Sequence, residues 1–193
     1  MTTLDELRAA LDPQWVREIE EADPVRMFAR AGRRLGTGPL PGIPGWTAGQ
    51  AGRAVLLGRL SPDQVITIYQ QGDAGERLAV LKALPLLTIR DAAVPLLHDA
   101  LRTNDARLVA AALGPYAEHL DADTWRQGVV KCVFMGVPLD VVDRLDDRAD
   151  AELAFILGGL AEEREAAGRS IPDDAAALLD RLQLRHVTPK EGN

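Results

Sequence analysis

The sequence predicts an all-α protein, built as short antiparallel helices in an α–α superhelix of the HEAT type or as an irregular helical bundle. Three observations carry that expectation. Alanine and leucine, both strong helix formers, number 29 and 28 of 193 residues, while aromatics make up only 4%. Helix-start signatures recur, with Ser61-Pro62-Asp63-Gln64 and Asp73-Ala74-Gly75-Glu76 in capping-box form and Asp12-Pro13 as a cap followed by a first-turn proline. The stripes between them have helical spacing, as in Ile89, Ala93, Leu96, Leu97, Ala100 and Leu101.

Taken in order, residues 3–11 and 13–22 read as two helices and Val25–Arg34 as a third, basic on one side. Leu35–Trp46 (LGTGPLPGIPGW) has four glycines and three prolines, too many for a helix or a central strand, and reads as a linker. Thr47 then opens a helix to about Leu60, followed by helices over 62–71 and from Ala74 to Pro85. Further helices are expected over 89–101, from 104 to about His119, over 122–135, 138–145 and 148–167, and from Pro172 to Leu184. The pairs 62–84, 89–119 and 122–145 recur at roughly 30 residues, near the period of helical solenoids. The domain expectation is a pair of N-terminal helices plus a third (1–34) packing on the main domain, a linker (35–46), a helical domain (47–185) and a polar tail (186–193). The first 34 residues cannot bury enough area to fold alone. They therefore either cap one end of the stack or cross to another subunit, which leaves a homodimer open.

Charge narrows the partners. The net charge is −7, and residues 140–183 alone carry 12 acids against 5 bases. Such a chain is a poor candidate for nucleic acid or an anionic membrane, which need a basic face. Cys132, the single cysteine, excludes an intrachain disulfide and a multi-cysteine metal site and fits a reducing cytoplasm. The three histidines lack metal-ligand spacing, so no metal and no cofactor is expected. No secretory signal is visible at Met1–Arg8, and apolar runs are too short to insert in a membrane. Localisation is therefore read as cytoplasmic.

Two segments could carry chemistry. His98–Arg107 is a dense polar knot at a helix–helix junction. One reading has Thr103 or Asn104 capping a helix, Asp105 complementing its dipole, and Arg102 or Arg107 serving the carbonyl end of the preceding helix. The other is an anion or ligand site of Arg102, Asn104 and Arg107 at a helix N-terminus. In Trp125–Gly136 (WRQGVVKCVFMG), Trp125, Val129, Cys132 and Val133 form one apolar stripe and Val130, Phe134 and Val137 a second, the mark of a central helix. Gln127 and Lys131 share its remaining face; Lys131 either snorkels outward, pairs with a carboxylate or lines a polar cavity. Cys132 reads as a small buried hydrophobe. Nothing resembles a phosphate loop, nucleophile elbow or triad.

The runs ERLAVLKALPLL (from Glu76), ALRTNDARLVAAALGPYAEHLD (Ala100–Asp121), TWRQGVVKCVFMGVPL (Thr124–Leu139), RADAELA (Arg148–Ala154) and ERxxAGR (Glu163–Arg169) occur in one order. Over roughly residues 47–184 this succession resembles the EboA-domain proteins. The resemblance implies a place in the bacterial ebo gene cluster, which encodes a prenyltransferase-like membrane protein and several enzyme-like proteins. In cyanobacteria that cluster is linked to export of a secondary-metabolite precursor. It implies no catalytic residues; the family-like positions include Arg102, Asn104, Asp105, Tyr116, Trp125 and Lys131. The expected function is a non-catalytic adaptor or small-molecule binder whose partners are proteins of that cluster or a metabolite. The alternative is a lyase or transferase using Lys131 with the Arg102–Asp105 cluster.

Overall fold

The computed structural model describes residues 2–187, with side chains described as far as Leu184. The expected polar tail from residue 188 onward lies outside the described residues. Twelve α-helices and three 3-10 turns occur among the described residues, with no strand beyond an isolated bridge. The protein is all-α. The helices are α1 (Leu4–Ala9), α2 (Pro13–Glu21), α3 (Pro24–Leu35), α4 (Ala48–Leu57), α5 (Pro62–Gln71), α6 (Ala74–Ala83), α7 (Val94–Arg102), α8 (Ala106–Ala112), α9 (Ala122–Met135), α10 (Leu145–Arg148), α11 (Ala151–Ala166) and α12 (Asp173–Val187). They divide into two compact units, residues 1–99 and 100–193.

In the first unit α4 is the hub, packed by α3, α1 and α6. Its glycines make this possible: a Cβ on Gly49 would lie 2.7 Å from the Gly36 carbonyl oxygen, so α3 and α4 meet backbone to backbone. Charged side chains tie the unit together by turning onto main-chain oxygens. Arg53 donates to the Phe28 carbonyl (3.2 Å), lies over the Phe28 ring and pairs with Glu76 at 3.1 Å. Arg59 donates to the carbonyl of Ile19 at the end of α2. The Gly/Pro segment 35–46 is an ordered loop: Leu40 N–H donates to Trp46 O (2.7 Å), and Ala48 N–H to Gly38 O (3.0 Å). Leu40 is buried beneath it.

The second unit is built on α9 and α11. Arg126 near the start of α9 grips Asp150, the N-cap of α11 (Nε–Oδ1 3.0 Å). At their far ends the Arg164 guanidinium lies 5.7 Å from the Phe134 ring centroid. The two helices therefore run parallel. Gly136, at φ 67°, closes α9 in the left-handed conformation a glycine adopts without strain. Arg148 donates to Leu120 O (2.9 Å) and to Ala117 O, and covers the Trp125 ring at 4.8 Å.

Three sequence expectations are corrected. The helix expected over 104–119 stops at Ala112, because Gly114-Pro115 turns the chain into a 3-10 segment. The helix expected over 138–145 is a 3-10 turn, Leu139–Val141, then Arg144 in the left-handed region, then α10. Phe134, expected in the core, is 59% exposed; α9 buries only the Trp125, Val129, Cys132 and Val133 stripe, together with Gly128.

Candidate functional site

The polar knot of the second unit is a helix start. Asp105 itself is the N-cap of α8, accepting from Arg107 N–H at 3.0 Å, and its carboxylate pairs with the Arg107 side chain at 2.6 Å. That pairing, with the backbone donors, holds the Asp105 carboxyl below the ordinary range. Thr103 Oγ1 donates to Ala100 O (2.8 Å) and accepts from Asp105 N–H (3.3 Å), fixing the preceding turn. The cap is thus neither Thr103 nor Asn104, and Arg107 serves Asp105 rather than a helix carbonyl end. Arg102 and Asn104 are exposed.

The α9 residues fall on two faces of the helix, Trp125 inward and Gln127 outward. Trp125 is buried against Arg148, its indole N–H without an acceptor among the described residues. Gln127 is exposed and Lys131 half-buried, and Lys131 pairs with no carboxylate among the described residues. Tyr116 is buried and packs edge-on to His119, ring centroids 4.8 Å apart. Burial pushes the Cys132 thiol up to about 11, helped by the Asp174 charge, so it is no nucleophile near neutral pH.

A cleft of the second unit lies elsewhere. Its volume is about 420 Å³, and it is lined by residues of the 139–147 segment with Asp174 and Arg181 of α12. Its floor is apolar: Leu139 and Val142 are buried and Leu145 is half-buried. Asp174 Oδ2 accepts the Leu139 N–H at 2.7 Å, clasping α12 onto the 3-10 turn. Asp143 N–H donates to Leu113 O at 2.9 Å, fixing the other side. Arg144 bends the chain at φ 52°, ψ 35°, a conformation costly for a residue with a Cβ and found disproportionately at binding sites. The rim carries two guanidinium–carboxylate pairs, Arg144–Asp147 (3.3 Å) and Arg181–Asp146 (3.2 Å), and Asp140. Both pairs are exposed, so each contributes little to stability. An apolar floor under paired donors and acceptors suits a small amphiphilic molecule bearing hydroxyl, amine or carboxylate groups.

None of the eight residues singled out from the sequence lines this cleft. Its own residues were hidden because Asp146-Asp147 reads as a solvated helix face and Arg181 stands 35 positions away. Among the described residues no cluster of three His, Cys, Asp or Glu side chains could hold a metal. Nor is any described helix long and apolar enough to cross a membrane.

In the first unit, burial lowers the pKa of Lys82. Its ammonium lies 4.6 Å from the Trp46 ring centroid and donates to Gly45 O and to Gln50 Oε1 (2.7 Å). These contacts fasten the Gly/Pro loop to α6, a structural role. Tyr69 donates its hydroxyl to Asp99 (3.0 Å), and burial followed by that bond raises its pKa.

Comparison with curated proteins and with solved structures returned no match. Comparison with protein families returned one described as "Metabolite traffic protein EboA", matching residues 30–180. That span takes in the second half of α3, all of α4–α11 and the cleft-forming turn, and stops one residue short of Arg181. The chain belongs to the EboA family.

Proposed function

We propose that this protein is a non-catalytic accessory of an ebo-type secondary-metabolite pathway that holds a small-molecule intermediate in the second-unit cleft and passes it to a protein partner. The family match carries the reading, since its description is one of metabolite traffic. The cleft supports it physically, combining an apolar floor with a rim of exposed ion pairs. Carriage needs differential affinity for a ligand but no positioned acid, base or nucleophile. The work is read as cytoplasmic, and the helical array as a scaffold for the cleft.

Metabolite profiling of an in-frame deletion tests this. The deletion is expected to accumulate or lose one intermediate. Wild-type protein and Lys131→Ala should both restore the profile, and Asp146→Lys/Asp147→Lys should not. Failure of Lys131→Ala to restore it, with the folded protein present, would move the assignment to an enzyme using Lys131. Full restoration by the double lysine variant would remove the cleft from the account.

A further inference from the structure

Two helical faces are left bare by the chain's own packing, and they are opposite in charge. α3 buries Met27, Phe28 and Ala31 and turns Arg26, Arg30 and Arg33 outward at i, i+4, i+7, a single stripe along the helix. These three arginines and Arg34 are exposed, form no ion pair among the described residues, and share a helix that contains no acid. Val25, at the head of the same helix, is 43% exposed.

α11 buries Leu153, Ala154, Leu157 and Leu160 and turns Phe155 the other way, 78% exposed. From Ala151 to Ala161 this helix has one charged residue, Glu152, and is apolar all round, a pattern of helices covered on both sides. The next turns carry Glu162, Glu163 and Glu165, exposed and without an ion-pair partner among the described residues.

We infer that α11 of one copy of this chain docks on α3 of a second copy, Phe155 seating against Val25 and Ala29 while the α3 arginines face Glu162 and Glu163. Charge complementarity supports that occupant: α3 has no acid, and α11 carries exposed Glu162, Glu163 and Glu165 beside Phe155's face, its one arginine, Arg164, lying over the Phe134 ring. With a Debye length of about 8 Å at physiological salt, facing patches outweigh the net charge of the two chains. A stripe one helix wide fits another helix better than a flat anionic bilayer or a nucleic-acid backbone. A nucleic-acid backbone offers no apolar contact to Val25, and an anionic bilayer would repel the exposed acids of α11 that flank Phe155.

Sedimentation velocity across a concentration series, at low and high salt, tests the inference on the full chain. Wild type is expected to self-associate, less so as salt rises. Arg30→Glu/Arg33→Glu, Glu162→Arg/Glu163→Arg and Phe155→Ser should each weaken association at least about tenfold, with unchanged circular dichroism. Mixing the two charge-reversed proteins should restore a dimer that neither forms alone, a result that misfolding cannot imitate. A wild type that stays monomeric at low salt would overturn the inference, as would association that survives both reversals. Capture of monomeric wild type by anionic vesicles, lost in Arg30→Glu/Arg33→Glu, would also overturn it and assign the stripe to a lipid surface.

Discussion

Glycine does opposite work in two helices, α4 of the first unit and α11 of the second. In α4, Gly49 sits where α3 passes so closely that a methyl group would strike the Gly36 carbonyl oxygen at 2.7 Å. In α11, Gly158 and Gly159 face open space, with nothing within 4 Å of where a Cβ would stand. In the first unit Arg53, Arg59 and Lys82 turn inward onto carbonyls; around α9 Arg148 does the same and Gly128 is close-packed, so the difference lies in α11 and not in the second unit as a whole. The second leaves an apolar helix face, an exposed Phe134 and an open cleft. A helix that stays apolar and small where its own chain does not cover it is available for something other than folding. That contrast is the physical support for placing the proposed ligand cleft in the second unit.

The largest expected effect lies within a single helix. Trp125→Ala should cost about 3–5 kcal/mol, because the ring is 1% exposed and capped by Arg148. Phe134→Ala, on the same helix but 59% exposed, should cost under about 1 kcal/mol. Urea unfolding of both variants checks this; equal losses would mean that α9 is covered on both faces. The glycine contrast comes next. Gly49→Ala should destabilise by about 1–3 kcal/mol, since the obstacle is backbone and cannot rotate away. Gly159→Ala should stabilise by roughly 0.5–1 kcal/mol through helix propensity, measured in dilute solution. Two changes of the same sign would erase the distinction between α4 and α11.

The smallest effect is electrostatic. Arg126 holds the Asp150 carboxyl below its usual range, so the folded-state value lies beneath the unfolded one. The resulting stability is present above about pH 3.9, the unfolded value, and is lost as pH falls through the folded value. Asp150→Asn keeps the helix cap and removes the charge. It should therefore lose under about 1 kcal/mol at neutral pH, because the carboxylate is 42% exposed and screened. The difference should vanish in acid; a gap that persisted below the folded value would assign the contribution to hydrogen bonding alone.

Much of the fold was legible because its signals are local. Thr47, Ser61, Asp73 and Asp121 each cap the helix whose start they mark, and three of the four complete a capping box. The break at Gly114-Pro115 was equally local and was overridden by the apolar stripe running past it. The width of α9's buried face was not legible, since helical periodicity orders positions around an axis without saying how much of the circumference neighbours cover. Of the candidate site, the helix junction was legible but its cap was not: Asp105, not Thr103 or Asn104, caps α8, and Arg107 pairs with it from inside the helix. The cleft was invisible because its floor and rim come from two segments 35 residues apart, and each looks like ordinary surface on its own.

The most direct test is native mass spectrometry of the protein purified gently from its own cells. The account predicts a small-molecule adduct on wild type that is absent from equally folded Asp146→Lys/Asp147→Lys. An adduct retained undiminished by that variant, or none on wild type from cells making the pathway product, would contradict it.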